Sequence, residues 1–342
     1  MAMGERRDDA ALAEGLARWV AAHSEGVPGG AGGPLTIARL EHAEGGMANE
    51  TVLVDFGPGH DGMVVRLPPL DSTFPDYDLG PQAAVQNAVA AAGVPAPAPT
   101  VFETDPSWIG APFLAMPRVH GDIAGSAPVF DPYVRDAGLA RQRVMHEGLV
   151  DAVVAVHAVP WHTARLEGVL AGPRLGDALD RWAAYVEWSS QGEPLAALVE
   201  ALDWCRRYRP PEREAVLLWG DVRLGNLVFD AACNVVAVLD WDLAALGPRE
   251  MDLGWHFGLE FMMEELFGQR VAGFSSRTET LERYERRAGC EVHDLAWHEV
   301  FALARALAIN DRHQRITGDP RRRDNPMGNI LRARLEAAAA GS

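Results

Sequence analysis

A chain of 342 residues with 48% apolar and 23% charged side chains has ordinary globular composition, and it is long enough for one large domain or two lobes. Its net charge of −17 opposes binding to nucleic acid or to an anionic membrane surface, since both would repel it. All 31 Lys-plus-Arg residues are arginine, so a phosphate contact that lysine makes elsewhere must come here from a guanidinium or from backbone N–H groups.

Charged residues Arg6 to Asp9 precede an amphipathic stretch rather than a long apolar one, which is unlike a signal peptide. No segment reaches the ~20 uninterrupted apolar residues of a membrane span. Within residues 9–23, Leu12, Leu16, Trp19 and Val20 fall on one helical face. A Gly/Pro-rich connector follows. Strands are expected at 35–43, 50–56 and 62–67, the last two joined by a Gly/Pro turn. Residues 81–92 read as a helix, closed by Gly93 and by prolines 95, 97 and 99, which favour extended chain. Strands near 100–104 and 111–116 complete an antiparallel sheet. From about residue 134 long helical patterns take over, at 134–158, 175–190 and 195–208, and again from about 248 to the end. One β-rich block at 215–241 interrupts them. Sheet first and helices second implies an α+β chain in two lobes. The three cysteines, Cys205, Cys233 and Cys290, lack metal-site spacing and are too few for a disulfide framework. The expectation is a soluble cytoplasmic protein with reduced thiols. Its oligomeric state is left open by the sequence.

The informative segment runs from Leu217 to Asp230. An apolar strand enters a Gly220–Asp221 turn, and Asn226 follows five positions after the Asp. A second apolar strand, Val235 to Leu239, then delivers Asp240, Trp241 and Asp242. Asp-x-x-x-x-Asn followed by a strand-borne Asp is the layout that phosphoryl transfer requires. One carboxylate accepts the proton of an attacking hydroxyl, while an amide oxygen and a second carboxylate offer hard ligands to Mg²⁺. Either half taken alone also fits a plain hairpin with common turn residues.

This segment resembles the catalytic block of the aminoglycoside phosphotransferase and choline kinase family, whose usual form is His-Gly-Asp-x-x-x-x-Asn followed by Asp-Trp-Glu or Asp-Trp-Asp. The stretch from Leu246 to Trp255 resembles the family's next segment. The resemblance extends over about residues 35–258 and is sharpest at 216–256. Within the family, the chain looks most like the kinase-like domains fused to some acyl-CoA dehydrogenases and their stand-alone actinobacterial relatives.

The resemblance implies a bilobal protein-kinase-like fold. Residues 1–115 would form a nucleotide-binding lobe with a small antiparallel sheet, 116–121 a hinge, and 122–342 a larger, mainly helical catalytic and acceptor-binding lobe. It implies ATP and Mg²⁺ as cofactors and a small hydroxylated molecule as acceptor, with neither nucleic acid nor membrane as partner. Asp221 would be the catalytic base, Asn226 and Asp240 the metal ligands, and Asp242 and Asp252 supporting carboxylates. Asp252 is also readable as a residue that bonds a helix start or a loop. Trp219 replaces the usual His. That His supports the loop, so its loss should alter packing and spare the chemistry.

On the nucleotide side, Gly45, Gly46, Met47, Ala48 and Asn49 resemble the phosphate-covering loop, although Gly-Gly also suits a simple turn. Arg66 stands where kinases place their phosphate-binding lysine. The helix at 81–92 lacks the acidic partner expected for that cation and offers Gln82 near the place. Met116, Arg118 and Val119 resemble the adenine-reading hinge, with Pro117 unable to donate. His120 reads as a surface hinge residue, and His157 as a satisfied core or capping residue. Trp182, Tyr185 and Trp188 fit either a packed core or an acceptor pocket. Arg312, Arg315 and the run Arg321 to Arg323 fit a solvated loop or contacts to an anionic acceptor such as a CoA tail. Three functions stay open: a kinase for an aminoglycoside-like or other hydroxylated metabolite, a hydroxyacyl-CoA kinase, and a nucleotide-binding pseudokinase. A protein kinase is disfavoured because no Ala-Pro-Glu segment or activation loop follows Asp240.

Overall fold

The alternation of apolar and polar residues in the N-terminal third produces an antiparallel sheet with a helix on each face. The computed structural model describes residues 7–23, 26–30, 35–43, 49–75, 77–320, 322 and 325–340. It divides into two units, residues 1–90 with 96–120, and residues 91–95 with 121–342.

In the first unit, helix α1 (Asp9–Ala22) starts where the Asp8 carboxylate accepts the Ala10 N–H at 2.9 Å. It buries Leu12, Leu16, Trp19 and Val20, the face expected from their spacing. The strands are β1 (Arg39–His42), β2 (Glu50–Asp55) and β3 (Met63–Leu67). Helix α2 (Gly80–Ala91) follows, then β4 (Val101–Glu103) and β5 (Phe113–Pro117). They hydrogen-bond in the order β1-β2-β3-β5-β4, antiparallel throughout. Because strand side chains alternate, Val52, Val54, Met63, Val65, Phe113 and Ala115 share one face and pack with α1. The opposite face presents Val64, Leu114 and Met116 to Leu79 and to Ala83 of α2.

The second unit is mainly helical. Strand β6 (Asp122–Ile123) is followed by helices α3 (Pro132–Arg135), α4 (Leu139–His157), α5 (Leu175–Ser190) and α6 (Ala196–Arg207). The single helical pattern expected at 134–158 is broken, because Gly138 adopts φ +80°, a conformation that no helix continues through. Next come strand β7 (Ala215–Leu218), a single 3₁₀ turn at Leu224–Asn226, and strands β8 (Leu227–Phe229), β9 (Val235–Val238) and β10 (Ala245–Pro248). They form two small sheets, β10-β7 and β6-β8-β9. Helices α7 (Glu250–Phe267), α8 (Arg277–Ala288), α9 (Leu295–Thr317) and α10 (Pro326–Ala340) complete the unit.

Helix α9 is its centre. It is buried almost continuously from Trp297 to Ala308 and packs against α5, α6, α7 and α10. Helix α8 begins with a reciprocal cap, Ser276 and Glu279 each bonding the other's backbone N–H. All three cysteines are free. Among the described residues, no helix is long and apolar enough to cross a membrane.

Candidate active site

The block between β7 and β9 places Asp221, Asn226 and Asp240 on one continuous piece of backbone. Strand β7 is apolar and ends at Trp219, which is fully buried. The chain then turns through Gly220 at φ +91°. A Cβ there would meet the Leu243 carbonyl oxygen at 2.1 Å, so only glycine fits. The turn releases Asp221 from the strand.

The Asp221 carboxylate is held from three sides. Its Oδ2 accepts from Asn226 Nδ2 at 2.7 Å and from Arg223 Nε at 2.9 Å, and its Oδ1 accepts from Trp255 Nε1 at 2.9 Å. Asn226 Nδ2 also donates to the Asp221 carbonyl at 3.0 Å. The Asn226 amide nitrogen is thereby committed, and its oxygen is the atom left to face a cation. Asp240, two residues past β9, adopts φ +62°, a left-handed conformation rare for a non-glycine residue and often met where function demands it.

Trp219 explains how that conformation is kept. Its indole Nε1 donates to the carbonyls of Leu239 at 2.8 Å and Asp240 at 3.2 Å. Trp219 thus ties the turn that carries Asp221 to the chain segment that carries Asp240. Trp219→Phe removes that donor from two part-buried carbonyls. We expect a loss of about 1–2 kcal/mol of stability, read as a lower melting temperature in differential scanning fluorimetry.

Asp252 is the second support. It lies in the first turn of α7 and is 1% exposed. Its Oδ2 accepts the Trp219 N–H at 2.7 Å and its Oδ1 the Gly220 N–H at 2.9 Å. His157, at the end of α4, lies 3.1 Å through Nε2 from the same Oδ2 and 2.6 Å through Nδ1 from the Tyr284 hydroxyl. Of the two sequence readings of Asp252, the loop-bonding one is what the geometry presents. His157 is the satisfied core histidine expected of it, and the partner it satisfies is the carboxylate that shapes the turn.

Three residues of this site were not singled out from sequence. Trp255 stands one helical turn after Asp252, so α7 presents both toward the same turn. Arg223, two residues after Asp221, forms an ion pair with it at 2.9 Å. Arg305 of α9 is 5% exposed, and its guanidinium carbon lies 4.8 Å from the ring centroids of both Trp182 and Trp255. Burial pushes its pKa down to about 10, which leaves it cationic at neutral pH. The spacing of Trp255 from Asp252 was the one usable signal. Arg305 had none.

The other expected residues are placed as follows. Gly45, Gly46, Met47 and Ala48 lie outside the described residues. Asn49 directly precedes β2, and Arg66 sits half-buried on β3 opposite Leu114. Gln82 of α2 is buried and its Nε2 lies 3.3 Å from the Tyr77 hydroxyl. Its Oε1 has no hydrogen-bond partner among the described residues, so it is not paired with Arg66. Met116 belongs to β5, and Arg118 N–H donates to the Gly62 carbonyl at 2.9 Å, extending the sheet. His120 Nε2 lies 2.9 Å from the Asp61 carbonyl oxygen on the surface. Tyr185 is buried between Trp182 and Trp188, at 5.0 and 5.7 Å between ring centroids. Arg315 and Arg322 both pair with the buried Asp311, at 3.1 and 2.7 Å, and so are committed internally. Arg321 and Arg323 lie outside the described residues.

Comparison with known sequences places this geometry. The profile of the phosphotransferase enzyme family matches residues 39–299. The chain belongs to that family. Human acyl-CoA dehydrogenase family member 11 is 27% identical over 283 residues, which is 79% of this chain and 34% of that protein. The chain thus spans about a third of the length of the curated relatives it matches. Among solved structures, a candidate aminoglycoside phosphotransferase from Ralstonia eutropha JMP134 superposes with a TM-score of 0.70 at 22% identity, over 97% of this chain and 99% of that one. Aminoglycoside phosphotransferase APH(4)-Ia, in a ternary complex with ADP and hygromycin B, gives 0.60 at 15% identity, over 90% and 96%. The α+β fold of this phosphotransferase family member is therefore the kinase-like one.

Proposed function

We propose that this phosphotransferase moves the γ-phosphoryl group of ATP to a hydroxyl of a small molecule, with Asp221 as base and Asn226 and Asp240 as Mg²⁺ ligands. The observation that carries the reading is the Asp221 carboxylate, oriented by Arg223, Asn226 and Trp255 just before the β8–β9 pair that Asn226 and Asp240 flank. An oriented carboxylate can accept the proton of an attacking hydroxyl and hold that oxygen in line. The donor set fits the proposed metal, since an amide oxygen and a carboxylate are the hard ligands that Mg²⁺ prefers. Bound Mg²⁺ would supply charge neutralisation at the phosphates. Arg66 is the residue of the first unit that this reading assigns to the phosphates. With the Arg118 N–H donating to Gly62 and Met116 in register opposite Val64 in the same ladder, Val119 is the donor assigned to adenine.

The reading predicts that Mg²⁺-ATP raises the melting temperature of the chain by several degrees, as any ligand selective for the native state must. Asp240→Ala should abolish the rise while Mg²⁺-free ATP has little effect on either protein. A rise of equal size in the variant would remove Asp240 from the metal site.

The acceptor separates the remaining readings. The match to acyl-CoA dehydrogenase family member 11 favours a hydroxyacyl-CoA, and the kinship with hygromycin-binding structures favours an aminoglycoside. Arg66 in place of the lysine, and Gln82 with its Oε1 unpartnered among the described residues in place of a helix acid, favour a nucleotide-binding pseudokinase. An ADP-release screen with aminoglycosides, macrolides and hydroxyacyl-CoAs side by side decides among them. Nucleotide binding with no turnover on any acceptor supports the pseudokinase.

A further inference from the structure

Helices α4 and α7 are joined by two histidine–carboxylate rungs. The first is His157 to Asp252, the support of the catalytic turn. Eleven residues earlier on α4, three turns down the same face, stands His146; eight residues later on α7 stands Glu260. His146 Nε2 lies 3.4 Å from Glu260 Oε1, and His256, one turn before Glu260, brings Nε2 to 3.9 Å from Oε2. One donor atom from each of the three residues lies within 4.8 Å of the others.

The second rung differs from the first in being unsatisfied. His146 is 1% exposed and His256 6%. Neither ring nitrogen of His146, nor Nε2 of His256, has a hydrogen-bond partner among the described residues. Two imidazoles buried with idle nitrogens around a carboxylate form a costly arrangement unless something occupies the space between them. Phe274 stacks on His146 at 4.7 Å between ring centroids and closes one side. The cations nearby are Arg270, whose Nη2 is 3.7 Å from Glu260 Oε2, and Arg277, whose ion pair is with Glu299.

We propose that His146, His256 and Glu260 bind a divalent transition ion of the zinc type, which pins α4 to α7. Four-coordinate zinc with bonds of about 2.0–2.1 Å sets its ligand atoms roughly 3.4 Å apart, which matches His146 Nε2 to Glu260 Oε1 at 3.4 Å, and one donor atom of His256 lies within 4.8 Å of a donor atom of each of them. Two ligands at i and i+4 share one face of α7, and the third arrives from the facing helix. Imidazole donors select Zn²⁺, Co²⁺ or Ni²⁺ over Mg²⁺. The site therefore takes a different metal from the one assigned to Asn226 and Asp240, and it does not depend on that assignment.

The test uses tag-free, full-length protein stripped with chelator and titrated with Co²⁺, followed by visible absorption and by Zn²⁺ competition. One equivalent with ligand-field bands, displaced by Zn²⁺, is expected, together with a melting-temperature rise from Zn²⁺ in the absence of nucleotide. His146→Gln and His256→Gln should weaken binding at least tenfold, while His162→Gln, at an exposed position, should leave it unchanged. Absence of Co²⁺ bands and of a Zn²⁺-dependent rise in the native chain overturns the proposal. So does binding that survives in both core variants. Should those variants fail to fold, the native-chain titration decides alone.

Discussion

Asp221→Asn is expected to lower the rate of phosphoryl transfer by about 10²–10⁴-fold, the usual contribution of a positioned base, without unfolding the chain. The amide keeps the size and one acceptor of the carboxylate, so Trp255 or Asn226 can still donate to it. It cannot take a proton, and it loses the ion pair with Arg223. The measurement is ADP release with whichever acceptor the screen identifies, paired with a melting curve in Mg²⁺-ATP. Loss of turnover with the nucleotide-induced melting shift intact isolates the chemical step from binding. A variant within threefold of the native rate would transfer the role of base away from Asp221.

Asp252→Ala is expected to be the most damaging single substitution for stability in the second unit. The carboxylate is 1% exposed and accepts two backbone N–H groups in addition to facing His157. Removing it strands the Trp219 and Gly220 N–H groups and one face of the imidazole in an interior that water does not reach. Breaking such a buried network costs about 3–5 kcal/mol. That corresponds to a fall of roughly 10 °C in melting temperature for a unit of this size. Turnover should fall too, because the displaced turn carries Asp221. His157→Phe is the milder companion: it keeps the volume, loses both polar contacts and leaves the backbone donors served. If Asp252→Ala melted within 2 °C of the native chain, the carboxylate would not be what holds the turn.

The legible part of this site is its local part. Asp221 and Asn226 sit five residues apart and hydrogen-bond to each other, and Asp240 follows Leu239, whose N–H donates to the Asn226 carbonyl. The sheet of the first unit was legible for the same reason, since period-two alternation in β2 and β3 encodes their buried faces. What escaped depends on side chains that meet across long stretches of chain. Arg305 stacks on Trp255 from fifty residues away, and His146 reaches His256 and Glu260 from another helix. Neither pairing leaves a periodic trace. Strands β6 and β10 have two and four residues, too few to alternate, and they owe their existence to the partners they extend. The break before α4 turns on Gly138 alone, a residue that helices also tolerate in their interiors.

The path by which Asp252 and His157 support the catalytic turn has a consequence for biogenesis. Strand β7 finds its partner only in β10, further along the chain, the turn after it is fastened by Asp252 of α7, and His157 in turn leans on the Tyr284 hydroxyl. As the ribosome extends the chain, strands β7 to β9 emerge before the residues that lock their turn. The contacts that fix the Gly220–Asp221 turn are therefore completed late, after α8 has left the exit tunnel.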